Sequence, residues 1–301
     1  MDAKTLSDSL AGAVERAGAS VVRVEGRRRA ASGFSWSADG LVVTASHVVQ
    51  RDDEIRVGLP DGQALPALLV GRDPGTDVAV LRVNATLSAV ALDDDAGRRV
   101  GELVLALGRP GHGVRASLGM VGAVNGAWET ACGGRVDRYV EVDGSLPPGF
   151  SGGPLVSVSG GVIGLNTSAI ARGGGTIPVT TLRRVVESIV AHGGVRRGHL
   201  GVVVQPVRLD EASARAAGQE GGVVVAGVSP GGPASGVLLV GDVLLGFGGK
   251  PVPDARALHA ILDEGSVDQA VVARVLRGGA VVDVEVRVGA RVERGRGGCC
   301  G

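Results

Sequence analysis

Three residues of this 301-residue chain, His47, Asp77 and Ser151, are of the types and in the settings from which acyl transfer could be run. Cleaving an amide with a serine needs a hydroxyl that loses its proton as it attacks. It also needs a base to take that proton and donors to hold the developing oxyanion. The usual base is an imidazole, oriented by a buried carboxylate that also stabilises its cation. Ser151 lies in Pro148-Gly149-Phe150-Ser151-Gly152-Gly153-Pro154, where Gly149 permits a sharp turn that aims its own N–H and that of Ser151 at one point. Gly152 and Gly153 keep side chains away from the hydroxyl. The competing reading is a glycine- and proline-rich surface turn with an exposed serine.

His47 follows the apolar run Leu41–Thr44, and its small, apolar frame separates it from His112, His192, His199 and His259. Asp77 opens Asp77-Val78-Ala79-Val80-Leu81, whose apolar residues would bury it, and a buried carboxylate calls for a donor such as an imidazole. Alternatively, Asp77 caps the turn Asp73-Pro74-Gly75-Thr76. The chain order His, Asp, Ser is that of two-barrel β proteases, whereas α/β-hydrolases run Ser, Asp, His and subtilisins Asp, His, Ser.

The elements that must position these residues read as mainly β. A short amphipathic helix over Thr5–Ala17, with Thr5 and Asp8 in a capping box, comes first. Strands are expected over 20–24, 31–37, 41–44, 54–59, 64–70, 78–83 and 102–107. A second set covers 115–124, 138–142, 154–157, 162–168 and 176–177. Asp39-Gly40 and Asp61-Gly62 are hairpin signals between such runs. Many short strands with frequent turns argue for a sandwich or barrels, and the two halves suggest two barrels. A helix over Thr180–Ala191 follows, with Leu182, Val185, Val186, Ile189 and Val190 apolar, and then a glycine-containing linker. The remaining unit repeats the pattern, with strands at 200–207, 222–228, 242–247, 271–277 and 281–288 and helices at 210–217 and 254–262.

Composition narrows the partners. Lys+Arg and Asp+Glu are both 31, so no global basic field points to nucleic acid or an acidic membrane. The short arginine runs, including Arg27 to Arg29, read as solvated loops or helix faces. Aromatics make up 2% of the chain and glycines number 52, so a core of Val, Leu, Ile and Ala is expected. Cys132, Cys299 and Cys300 form neither a disulfide framework nor a metal-spaced cluster, and the chemistry calls for no cofactor and no metal. The N-terminal residues hold no apolar run, and the longest uncharged stretch, 221–241, is broken by prolines and glycines. A cytoplasmic location without a membrane span is therefore expected.

Taken together, three segments resemble the HtrA/Deg family of trypsin-like serine proteases with a C-terminal PDZ domain. They are Ser32-Gly33-Phe34 through Thr44-Ala45-Ser46-His47-Val48-Val49, then Thr76-Asp77-Val78-Ala79-Val80-Leu81, then Gly149-Phe150-Ser151-Gly152-Gly153-Pro154. The resemblance spans about Ala19 to Val288. It implies a helical segment over 1–18, a two-barrel trypsin-like domain over 19–192, a linker over 193–198, a PDZ domain over 199–291 and a disordered tail over 292–301. It also implies His47 as general base, Asp77 as its orienter, Ser151 as nucleophile, and the N–H groups of Gly149 and Ser151 as the oxyanion hole. Phe150 departs from the Asn or Asp usual in the family. It would bias the loop toward an inactive arrangement or line the substrate cleft.

By the same resemblance, Leu146 with Asn166, Thr167, Ser168 and Ala169 would border an apolar pocket for a small or medium aliphatic residue. His199, Leu200, Gly201 and Val202 would hold a peptide's terminal carboxylate in the PDZ domain, where an extended peptide adds as a strand. Leu258 and Leu262 would border that groove or else be core. The function implied is endopeptidase action on unfolded or exposed polypeptide segments, with C-terminal peptides bound at the PDZ domain and a trimer as the family's assembly. The alternatives are a catalytically silent PDZ scaffold and an esterase using the same three residues.

Overall fold

A computed structural model describes residues 2–93, 97–130, 133–170, 174–263 and 266–292. The three cysteines lie outside these residues, as does the expected tail apart from Val292. Valine-rich runs alternate with turn residues over most of the chain, and the result among the described residues is 22 strands and four α-helices. The described residues divide into a unit running to Val195 and a second over Arg196–Val292.

Helix α1 (Ala3–Gly18) precedes six strands: β1 (Val21–Glu25), β2 (Ala31–Ser35), β3 (Leu41–Ala45), β4 (Ile55–Gly58), β5 (Ala64–Asp73) and β6 (Val78–Val83). These close into a barrel in the order β1-β2-β3-β6-β5-β4. Both Asp-Gly pairs fall in hairpin connections, β2 to β3 and β4 to β5. In the second of these the Asp61 carboxylate accepts the Gln63 N–H at 2.9 Å, a local bond that favours the turn. The helix cap differs from expectation. Asp2, not Thr5, is the cap, its carboxylate accepting the Thr5 N–H at 2.8 Å and the Thr5 hydroxyl at 2.9 Å. An ionised oxygen is the better acceptor for an unpaired helix N–H, so the helix starts two residues earlier.

The second barrel uses β7 (Leu103–Gly108), β8 (Arg115–Asn125), β11 (Tyr139–Asp143), β12 (Pro154–Ser157), β13 (Val162–Thr167) and β14 (Gly175–Pro178). The small pair β9 (Trp128–Glu129) and β10 (Arg135–Val136) lies between β8 and β11 in sequence. Its order is β11-β14-β13-β12-β7-β8. Val104, Ala106, Val121, Val140, Leu155 and Ile163 form one buried cluster in it. Helix α2 (Val179–His192) buries Val179, Leu182, Val185, Val186 and Ile189, a stripe at helical spacing, while Val190 stays exposed.

The second unit holds β15 (Arg196–His199), β16 (Val202–Arg208), α3 (Glu211–Ala217), β17 (Gly221–Val228) and β18 (Val243–Phe247). It continues with β19 (Lys250–Pro251), α4 (Ala255–Asp263), β20 (Ala270–Arg277), β21 (Ala280–Arg287) and β22 (Gly289–Val292). The sheet runs β16-β17-β18-β20-β21, with β19 paired to β18. Residues 196–198 of the expected linker are not free chain. They form β15, which pairs with β22 from Arg196 opposite Val292 to His199 opposite Gly289. No helix among the described residues is long and apolar enough to cross a membrane.

Candidate active site

Asp77 is placed by a turn that another carboxylate organises. Asp73 accepts the N–H groups of Gly75 and Thr76 at 3.2 and 3.1 Å and the Thr76 hydroxyl at 2.7 Å. Asp73 therefore caps the turn, and the Asp77 carboxylate is left for other donors. Asp77 itself has φ +57°, an unfavourable angle for a residue with a side chain, and strain of this kind concentrates at functional sites. Its carboxylate accepts the His47 backbone N–H at 2.8 Å and the imidazole Nδ1 at 2.8 Å. It also accepts the Thr167 hydroxyl. With Nδ1–H committed to the carboxylate, the neutral ring has Nε2 as its acceptor. His47 sits on a short 3₁₀ turn, Ser46–Val48, at the end of β3, and the Ser46 N–H is tied to the Asp77 carbonyl at 2.9 Å.

Ser151 is buried on the turn between β11 and β12. The Gly152 N–H donates to the Asn166 carbonyl at 2.7 Å and the Asn166 N–H to the Gly153 carbonyl at 2.9 Å, which knits the turn to β13. Gly152 must be glycine. Its φ is +86°, and a Cβ there would lie 2.1 Å from the Ser32 carbonyl and 2.9 Å from the Ala45 nitrogen. The nucleophile turn is thereby pressed against the end of β3, two residues before His47. From the other side, the Ser151 hydroxyl is 3.2 Å from that of Ser168, the neighbour of Thr167. Direct contacts thus run from Ser151 through Ser168 and Thr167 to Asp77 and His47. Gly149 has φ +84°, and neither its N–H nor that of Ser151 finds an acceptor among the described residues. Two amide donors left open on the same turn, on either side of a Phe150 N–H that is bonded to the Pro147 carbonyl at 3.1 Å, suit an oxyanion.

Phe150 does not line a cleft. It is 2% exposed and belongs to the buried cluster of the second barrel, against which a Cβ on Gly108 would meet its ring at 2.9 Å. Burying an apolar ring inward suits this cluster, so the departure from Asn or Asp at this position is absorbed in the core.

The five residues expected to border a pocket divide. Leu146 and Asn166 line a small cavity with Ala106, Val142, Leu155 and Thr176. Thr167 is wholly buried with its hydroxyl on Asp77, so it positions the carboxylate instead of facing substrate. The Ala169 N–H bonds back to the Thr167 hydroxyl at 3.0 Å, and β13 ends at Thr167, one residue sooner than expected. In the second unit, Leu200, Leu258 and Leu262 are buried in the core. His199 closes β15 and Val202 opens β16, both half-buried, with Gly201 between strands at φ +71°.

Sequence reasoning missed Ser32 and Arg109. Fully buried Ser32 donates its hydroxyl to the Gly149 carbonyl at 2.7 Å and its N–H to the Ser151 carbonyl at 3.2 Å. The Ser32 hydroxyl accepts the Arg109 N–H at 2.8 Å, and the Arg109 guanidinium holds the Val21, Gly18 and His112 carbonyls at 2.7, 3.1 and 2.6 Å. Burial lowers the Arg109 pKa from its ordinary value. The only sequence signal for Ser32 was its place in the Ser-Gly-Phe segment, with nothing to say where its hydroxyl points.

Comparison with known proteins accords with this geometry. A model of the trypsin-like peptidase domain matches residues 31–165, and a PDZ-domain model matches residues 198–288. A probable periplasmic serine endoprotease, DegP-like, of Halomonas elongata is 37% identical over 288 residues, covering 92% of this chain and 60% of that protein. A protein of the same name from Brucella suis is 39% identical over 242 residues, covering 75% of this chain and 46% of its own length. The chain therefore spans about half the length of these curated relatives. Among solved structures, the HtrA-type protease AlgW with a decapeptide superposes with a TM-score of 0.75 at 32% identity, covering 94% of this chain and 99% of that one. The serine endoprotease from Yersinia pestis gives a TM-score of 0.73 at 29% identity, covering 94% and 98%. The curated relatives are named periplasmic, which overturns the cytoplasmic location expected from the N-terminal residues. That expectation rested only on the lack of an apolar run among the N-terminal residues.

Proposed function

The chain belongs to the HtrA family of trypsin-like serine proteases with a PDZ domain, and from that premise we propose that it is an active endopeptidase in which His47, Asp77 and Ser151 act as one catalytic unit. Ser151 attacks the scissile carbonyl while His47 Nε2 takes its proton. Asp77 holds the ring and stabilises the imidazolium. The N–H groups of Gly149 and Ser151 hold the oxyanion, and the protonated His47 then delivers the proton to the leaving amine. Water repeats the sequence on the acyl-enzyme.

The observation that carries this reading is the Asp77 carboxylate, buried and held by three donors, two of them from His47. A merely structural aspartate would not fix the base tautomer and leave two amides open beside a serine. Leu146 and Asn166 then border the pocket for the residue before the scissile bond, where Ala106, Val142, Leu146 and Leu155 offer apolar contacts to a small aliphatic side chain beside the polar Asp143, Asn166 and Thr176. We assign catalysis to residues 19–192 and binding of C-terminal peptides to the PDZ unit, whose His199–Val202 segment leads into β16. Substrates are polypeptides with exposed segments. Casein digestion tests this reading: the chain degrades casein, and Ser151→Ala lowers turnover by about 10⁴-fold or more. Equal degradation by both proteins would remove Ser151 from the mechanism.

A further inference from the structure

The tip of the β1–β2 hairpin, Arg27-Arg28-Arg29, is pinned at both ends to the candidate site. At one end the Gly26 carbonyl accepts the Gln50 N–H at 2.9 Å, and a Cβ on Gly26 would lie 3.0 Å from the Val48 carbonyl. The hairpin therefore packs on the turn that carries His47. At the other end the Ala30 carbonyl is 3.5 Å from where a Cβ on Gly149 would stand, and Ser32 bonds the Gly149 carbonyl.

None of the three guanidiniums is held by a carboxylate at ion-pair distance among the described residues, and the Asp77 carboxylate acts on Arg27 only from farther off. Arg28 and Arg29 are exposed, and Arg27 is half-buried with its Nε closed off from solvent and without an acceptor. Of the carboxylates on the flanking segments, Glu25 pairs with Arg23 at 2.9 Å, Glu54 with Arg51 at 3.4 Å and Asp52 with Arg72, while exposed Asp53 forms no ion pair with the three arginines. Burial lowers the pKa of Arg27, and the Asp77 carboxylate opposes that shift, which sets this cation in the field of the catalytic group. The chain's net charge is zero, so the positive field here is local.

The two sides of Ser151 differ in chemistry. The cavity for the residue before the scissile bond is walled by Ser145–Pro147 and Gly174–Thr176. A substrate with its carbonyl on the Gly149 and Ser151 N–H groups has its leaving amine toward His47. The residues flanking the hairpin tip, Gly26 and Ala30, lie against the His47 turn and Gly149, next to that leaving group. We propose that Arg27, Arg28 and Arg29 form a subsite for the leaving-group side of the polypeptide, selecting Asp or Glu within the first three residues after the scissile bond. Guanidinium forks match carboxylates in planar, two-point geometry, which favours acidic side chains over merely polar ones. The inference rests on the endopeptidase reading above.

The test uses the full chain and fluorogenic peptides identical except for Asp, Asn or Lys at the second residue beyond the scissile bond. At low salt kcat/KM is expected to favour Asp over Asn by about fivefold, with Lys poorest, and the ratio falls as salt rises. In Arg28→Ala/Arg29→Ala the Asp-to-Asn ratio drops to within about twofold of unity, as expected for loss of exposed pairs. Both positions are exposed, and thermal unfolding checks that the fold is retained. Anisotropy of the same labelled peptides on Ser151→Ala, with and without the arginine substitutions, reads the subsite without turnover. Charge-blind cleavage, or a preference that survives in the double variant, overturns the subsite while leaving the protease reading intact. Absence of any cleavage with an arginine-dependent preference in binding sinks the protease reading and keeps the subsite. Charge-blind binding in that case removes both.

Discussion

The hydroxyl of Ser32 on β2 donates a 2.7 Å hydrogen bond to the carbonyl of Gly149, 117 residues away, beside the candidate nucleophile. Through the Arg109 N–H on that same hydroxyl, the Gly149–Ser151 turn is joined to the Gly18 and Val21 carbonyls at the end of α1 and the start of β1. One barrel thus sets the backbone of a turn belonging to the other.

Ser32→Ala should lower kcat about tenfold to a hundredfold, less than the loss from deleting an oxyanion donor outright, with KM nearly unchanged. Affinity for a peptide boronate, which mimics the tetrahedral intermediate, should fall in parallel, while binding of an uncleaved peptide should not. A uniform loss of both would mark Ser32 as structural only.

Thr167→Val should lower kcat about tenfold, since a hydrogen bond to a charged group contributes about 1.5–3 kcal/mol and the Asp77 carboxylate would lose one of its donors. Thr167→Ser keeps the hydroxyl and should restore most of the rate. Steady-state kinetics on one peptide decides it, and no recovery in the Ser variant would count against the positioning role.

Gly152→Ala should destabilise the first unit by about 3 kcal/mol or more, combining positive-φ strain with a backbone clash. Gly113→Ala, where a Cβ meets nothing within 4 Å, serves as the neutral control. Thermal unfolding of the two variants separates the site-specific constraint from a general glycine effect.

These constraints mark how far the sequence could be read. Strand runs such as Leu41–Thr44 and Val78–Val83 announce themselves through β-branched residues between turn signals, and α2 through its apolar spacing. The three candidate catalytic residues were legible because each lies in its own recognisable local segment. Thr167 was misassigned to the pocket because a strand's sequence does not say which face meets a partner 90 residues away. Phe150 was misplaced for the same reason: its inward turn into the barrel depends on Gly108 leaving room. Arg27 to Arg29 read as ordinary solvated residues, since only tertiary packing brings their hairpin beside Gly149. The start of α1 is not legible because Thr5 and Asp2 are both residue types that cap helices, and only the structure shows the Asp2 carboxylate on the Thr5 N–H.

The second unit should lose stability in acid through Asp242. Burial works against its charge, but the Arg277 guanidinium and the Leu239 N–H, at 2.7 to 2.8 Å, outweigh it and hold the carboxyl below its ordinary value of 3.8. A folded-state pKa below the unfolded one gives stability that is full above pH 3.8, declines as pH falls from there, and is gone below the lowered value. Arg277→Gln should lower the unfolding temperature of this unit at neutral pH and flatten its acid dependence. An unchanged acid limb in that variant would contradict the assignment.

The account turns on which oxygen attacks, and Ser168 places a second hydroxyl 3.2 Å from that of Ser151. Labelling the full chain with a fluorophosphonate and locating the adduct by peptide mass spectrometry answers this directly. The prediction is a single adduct on Ser151, absent from Ser151→Ala and suppressed in His47→Ala. An adduct on Ser168, or labelling that persists in Ser151→Ala, would contradict the account.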